Sequence, residues 1–124
     1  MLTARAENHL RGRDDLDDTI ARLHAYQEAG ADVLYAPALR TIEQIGAVLE
    51  ALDRPVNVLA LPGVPPVAEL ARAGVARVSV GGAFAAVAYA ALIDAATELR
   101  DEGTYAYLQA ARAGGGAMRA AFAD

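Results

Sequence analysis

Thr3, Arg5 and Glu7 alternate with Leu2, Ala4 and Ala6 in the stretch LTARAEN, so an extended backbone puts three polar side chains on one face and three apolar ones on the other. If the apolar set packs beneath a helix, the polar set faces the interior of a closed parallel barrel. A guanidinium there is costly unless an anion meets it. On a solvated edge strand the same arginine is an ordinary surface residue, and the seven residues alone fit both readings.

Other groups of chemical interest are weaker. Asp14, Asp15, Asp17 and Asp18 crowd one helix start; carboxylates there complement exposed amides and the helix dipole, a commoner use than a metal site of paired aspartates. His9 reads as a loop residue with no second ligand near it in sequence, and His24 as a half-exposed helix residue. Neither builds a zinc site or a triad. Ser79 lies in a strand without a nucleophile-elbow pattern and reads as packing. Gly81 and Gly82 stand between a strand and a long helix. Backbone amides unshielded by side chains can receive a phosphate or carboxylate at such a place, and a tight turn needs the same glycines.

Composition removes several chemistries. The 11 basic residues are all arginine, and there is no cysteine. Schiff-base lysines, P-loop lysines, thiolate nucleophiles and disulfides are therefore excluded from this chain. The net charge of −5, without a basic cluster, argues against nucleic acid or an anionic membrane as partner. Ala83 to Ile93 is the longest apolar stretch, too short for a membrane span. With no signal-peptide core at MLTARAEN, the expected location is cytoplasmic.

The elements that must position these residues follow from periodicity. Leu16, Ile20, Leu23 and Gln27 share a helical face, and Gly30 is placed to end that helix. Asp32 to Tyr35 is a buried-strand run stopped by Pro37. Thr41 and Gln44 form a capping-box pattern ahead of the stripe Ile42, Ile45, Leu49, Leu52. Val56 to Leu61 is the third strand, with Asn57 its one strongly polar member. Pro66 begins a short helix ending near Gly74. Arg77 to Val80 is the fourth strand, and Ala83 to about Arg100 a long helix. Thr104 caps a further helix through Arg112, and Gly114 to Gly116 reads as a hinge. The expected organisation is residues 1–113 as one body and 114–124 as hinge and short tail.

Strand starts near 2, 33, 56 and 77 give four strand-then-helix units at the spacing of α/β barrels. Four units make half a barrel. With all helices on one side, Tyr35, Leu59 and Leu61 line a bare face; ~400 Å² of apolar area left uncovered forgoes on the order of 10 kcal/mol. Missing upstream sequence, a second copy of the chain, or helices redistributed to both faces could supply the cover.

The ordered set TARAEN, YQEAGADVLYAPAL, RPVNVLALPG, LARAGVARVSVGGA and EGTY resembles the C-terminal half of the phosphoenolpyruvate mutase and isocitrate lyase superfamily, from Leu2 to Tyr107. The resemblance implies an α/β fold, with four βα units forming the C-terminal half of a (β/α)8 TIM-type barrel plus C-terminal helices. It also implies a Mg²⁺-dependent lyase or mutase that makes or breaks C–C or P–C bonds beside a carboxylate of an α-oxo or 2-hydroxy acid, or in a phosphonate. In that pattern Mg²⁺ holds an enolate-like intermediate, and the arginine at the position of Arg5 contacts the substrate's carboxylate or leaving group. Its planar, permanently charged fork suits that task.

Glu7 and Asn8 stand close enough to orient Arg5 or meet substrate. Two departures weaken a citrate-type lyase specificity: Pro37 stands where lyase members often carry a glutamate, and Leu59 where they carry an asparagine. Asn57 has the parity of Leu59, one step deeper. The family's metal-binding aspartates and mobile loop belong to the first barrel half, so the ligands for Mg²⁺ are not expected in this chain. The substrate-binding candidates are Arg5, Glu7, Asn57, Gly81 and Gly82. A homo-oligomer or a missing N-terminal half barrel is the expected protein partner. A non-catalytic half barrel acting by self-association or through a partner chain, and another phosphate-binding TIM-barrel enzyme, are the competing readings.

Overall fold

The short apolar runs become strands where their residue types place them. In the computed structural model, which describes residues 1–123, β1 spans Thr3–Arg5, β2 Val33–Tyr35, β3 Val56–Leu59 and β4 Arg77–Ser79. They form one parallel sheet in the order β1-β2-β3-β4. The intervening helices are α1 (Leu16–Glu28), α2 (Ile42–Ala51) and α3 (Val67–Ala73). A consecutive order never reverses, and parallel crossovers share one hand, so α1, α2 and α3 all fall on one side. Within Met1–Gly81 the helices are therefore not divided between the two sheet faces. Accordingly α1 packs on α2, and α2 on α3.

The core lies between these helices and one sheet face. Ala4, Leu34, Val56, Val58 and Val78 face Leu23, Ile45, Val48 and Leu70, and the last four are almost wholly buried. Local signals fix the ends. Asp15 caps α1, its Oδ1 accepting the Asp18 N–H at 2.9 Å. Thr41 and Gln44 close a reciprocal capping box on α2. Gly74 ends α3 at φ 101, a conformation that side-chain-bearing residues resist.

The chain divides into two compact units, Met1–Gly81 and Gly82 onward. The second holds α4 (Ala83–Asp101) and α5 (Leu108–Ala121), and neither helix buries a residue. Two expectations are corrected here. Thr104 does not cap a helix: its hydroxyl donates to Glu98 Oε1 at 2.6 Å, and the same carboxylate accepts the N–H groups of Ala106 and Tyr107 at 2.6 and 3.1 Å. Nor is Gly114 to Gly116 a break, for all three lie inside α5. Strong helix formers on both sides, Ala110, Ala111, Ala113, Ala117 and Met118, propagate the helix across residues that would not nucleate one. Among the described residues no helix is long and apolar enough to cross a membrane.

The bonds to Glu98 are expected to make the turn after α4 acid-sensitive. The Thr104 hydroxyl first, and the Ala106 N–H second, hold its carboxyl below the ordinary glutamate value of 4.5. A carboxyl depressed by folding contributes its full stabilisation above the unfolded value and loses it as pH falls through the folded one. Acidification below 4.5 is therefore expected to deprotect the Ala106 and Tyr107 amides in hydrogen exchange, corrected for intrinsic rates. Glu98→Gln should remove that pH dependence; equal protection in wild type across the range would refute the assignment.

Candidate functional site

Opposite the helices, strand parity brings one polar residue from each strand into a single row. The ladder pairs Arg5 with Tyr35, Tyr35 with Asn57, and Asn57 with Arg77. Thr3 and Ser79 share that face, two residues from Arg5 and Arg77 along their strands. The alternation of β1 thus puts Thr3 and Arg5 on the face away from the helices, and Arg77 with Ser79 repeats it on β4.

Arg5 stands at the C-terminal end of β1, where parallel α/β proteins bind ligands. Its guanidinium lies 5.0 Å from the centroid of the Tyr35 ring, and its Nη2 is 2.7 Å from Glu7 Oε1. The ring offers a cation–π platform, and the carboxylate fixes one edge of the fork. Close to half of the Arg5 side chain remains exposed (48 %), leaving N–H groups for a second anion. Glu7 thus pairs with Arg5. Asn8 does not; it turns away and donates its amide to Asp18 Oδ2 at 2.6 Å, tying the loop to α1. Arg22 donates to the same carboxylate, and these two bonds hold Asp18 below the usual aspartate range, Arg22 contributing most.

The bare apolar face expected from sequence is corrected as well. Tyr35 is only 8 % exposed, roofed by Arg5, and Leu59 is half-buried. Asn57 is 1 % exposed. Its amide Nδ2 donates to Ser79 Oγ at 2.9 Å and its Oδ1 accepts from Arg77 Nε at 2.8 Å. Arg77 Nη2 also donates to Thr3 Oγ1 at 3.2 Å. β1 and β4 are the two edges of the sheet. Flat strands about 4.8 Å apart would put those edges roughly 14 Å from each other, too far for that bond. The sheet is therefore curled, with the polar row on its concave side.

The remaining candidates are less connected. Gly81 takes φ 54, and a Cβ on it would meet Leu59 Cδ1 at 3.9 Å, so conformation rather than crowding selects glycine. Gly82 is the N-cap of α4, with no side-chain cap on its first amides. His24 is exposed. His9, expected in an open loop, is buried in a single 3-10 turn, His9–Arg11, with Nδ1 3.3 Å from Asp14 Oδ1 and Nε2 without a partner. Among the described residues no three His, Asp or Glu side chains converge as a metal site. Glu7, the carboxylate beside Arg5, is already paired, so this donor set does not fit a Mg²⁺ ion. Thr3 and Tyr35 stand on the face where sequence reasoning put them; Arg77 escaped it, and its parity with Ser79 was the available signal.

Three comparisons bear on this arrangement. Residues 1–100 match the family model described as phosphoenolpyruvate phosphomutase. The Mycobacterium tuberculosis protein Rv1998c is 34% identical over 116 residues, covering 88% of this chain and 45% of its own length. A candidate lyase/mutase from Burkholderia cenocepacia J2315 is 56% identical with a TM-score of 0.83, over 89% of this chain and 40% of that one. Oxaloacetate acetylhydrolase in complex with oxalate is 30% identical with a TM-score of 0.73, over 84% and 37%. The chain thus spans less than half the length of the relatives it matches.

Asn57 is the residue whose loss should be felt most. Asn57→Leu leaves the Ser79 hydroxyl oxygen without its donor and Arg77 Nε without its acceptor, and is expected to cost about 1–3 kcal/mol in urea unfolding. A loss below about 0.5 kcal/mol, the scale of a surface change, would show that the bridge is incidental.

Proposed function

Because the chain belongs to the phosphoenolpyruvate phosphomutase family, we propose that it forms part of a Mg²⁺-dependent lyase or mutase cleaving or forming a C–C or P–C bond. Its substrate is an α-oxo or 2-hydroxy carboxylate, or the related phosphonate, and its place is the cytoplasm. The observation that carries the reading is Arg5, half-exposed at the C-terminal end of β1, seated on Tyr35 and held by Glu7. Nη2 is engaged by Glu7; the other N–H groups receive the substrate carboxylate in a bidentate grip, and the ring below restrains the fork. Asn57 supports the row from beneath, and the Gly81 and Gly82 amides are assigned to a second anionic group. Mg²⁺ would be held by residues other than these. The chain by itself is read as incomplete.

The open edges of the sheet favour a second reading, a non-catalytic half barrel that closes on another copy or on a separate first half. No strand pairs with the outer side of β1 or β4 among the described residues. A third, a different phosphate-binding barrel enzyme, would rest on the glycine pair alone.

Oxalate is the probe for the first reading. Arg5→Gln is expected to weaken its binding to the 124-residue chain about tenfold, the scale of a charge-assisted hydrogen bond. Unchanged affinity would remove Arg5 from the site. The same chain should not turn over oxaloacetate, 2-methylisocitrate or phosphonopyruvate with Mg²⁺ present. Turnover abolished by Arg5→Ala would overturn the claim of incompleteness. Sedimentation at micromolar concentration separates the second reading, which requires self-association or a bound partner; a stable monomer opposes it.

A further inference from the structure

We propose that Arg77 is a second anion-binding residue on the concave face, where it takes the far carboxylate of a small diacid whose near carboxylate lies on Arg5. This rests on the reading of Arg5 given above, and names the end of the ligand that Arg5 leaves unaccounted for.

Arg5 and Arg77 differ in how their charge is met. Arg5 has the Glu7 carboxylate 2.7 Å away. Arg77 is exposed and forms no ion pair among the described residues. Its two side-chain hydrogen bonds go to neutral acceptors, the Asn57 carbonyl and the Thr3 hydroxyl. A guanidinium carries five N–H donors in one plane. Nε and one N–H of Nη2 are committed, which fixes the plane of the fork and leaves its remaining donors and its whole charge unmatched. A freely solvated arginine has no such restraint. Here the acceptor on Nε belongs to a buried amide that is itself held by Ser79.

The spacing suits a short ligand. Thr3 lies two residues before Arg5 on the same strand and the same face, or roughly 6.6 Å along β1. Arg77 reaches that lower level from the opposite edge of the curled sheet. Both guanidinium groups thus enter one hollow, Arg5 over Tyr35 and Arg77 beside Thr3, and a short diacid is the ligand proposed to join them. Register and parity keep both on the lining face. A carboxylate side chain from a complementing half barrel is the other source of the same chemistry, and the test separates the two.

Succinate and oxalate are titrated separately into the 124-residue chain, followed by amide and arginine Nε–H chemical shifts. Arg77→Gln is expected to weaken succinate about tenfold while oxalate is held as before, and Arg5→Gln to weaken both. Arg77→Lys, which keeps the charge and loses the fork, should recover part of the succinate affinity and serves where the glutamine variant does not fold. If Arg77→Gln leaves succinate binding unchanged while Arg5→Gln still weakens oxalate, this proposal falls and the reading of Arg5 stands. Equal weakening of oxalate by Arg77→Gln would show that Arg77 merely positions Arg5, and overturns it too. If neither anion binds the wild-type chain, both fail, and the unmatched charge awaits a protein carboxylate.

Discussion

A parallel sheet built in consecutive order has no freedom in where its helices go: crossovers of one hand deliver all of them to one side. Everything else in the first unit answers that constraint. The helix-facing residues become a dry core of alanine, leucine, isoleucine and valine. The opposite residues have no layer above them within Met1–Gly81, and the solution is curvature together with polarity. Thr3 and Arg77, residues on opposite edges, meet across the hollow, and the large ring that would otherwise be wet, Tyr35, lies under a guanidinium.

The hollow is therefore organised by hydrogen bonds rather than by apolar cover. Asn57 is central because it is buried among residues that cannot satisfy it by backbone pairing alone, and its amide meets one donor and one acceptor from β4. A buried amide with both ends matched orders its neighbours; unmatched, it would penalise the fold. The same residue thus couples stability of the sheet to the orientation of Arg77. The chain belongs to the phosphoenolpyruvate phosphomutase family and spans less than half the length of the relatives it matches.

Much of this was legible in the residues, and the reasons for the rest are physical. Asp15, the Thr41 and Gln44 pair and Gly74 work through atoms a few residues away, so their roles follow from spacing. Strand positions followed from short valine- and leucine-rich runs between helical stripes. Arg5 and Asn57 could be placed on the lining face by parity, yet the bonds that cross the sheet could not be read. Arg77 and Thr3 are separated by 74 positions, and nothing local to either predicts the other. Thr104 failed for the converse reason: its spacing suits a cap, but the Glu98 carboxylate, six residues back, competes for the hydroxyl. The glycine run inside α5 shows propensity overridden by its helix-forming flanks.

The brevity of the outer strands carries a consequence for how such a body associates. With three residues each in β1 and β4, either border offers few ladder bonds to a lone visiting strand, so stacking into open-ended fibres gains little per contact. A body that docks at both borders together forms its second set of bonds at high effective concentration. Geometry of this kind rewards closing a ring over extending a ribbon.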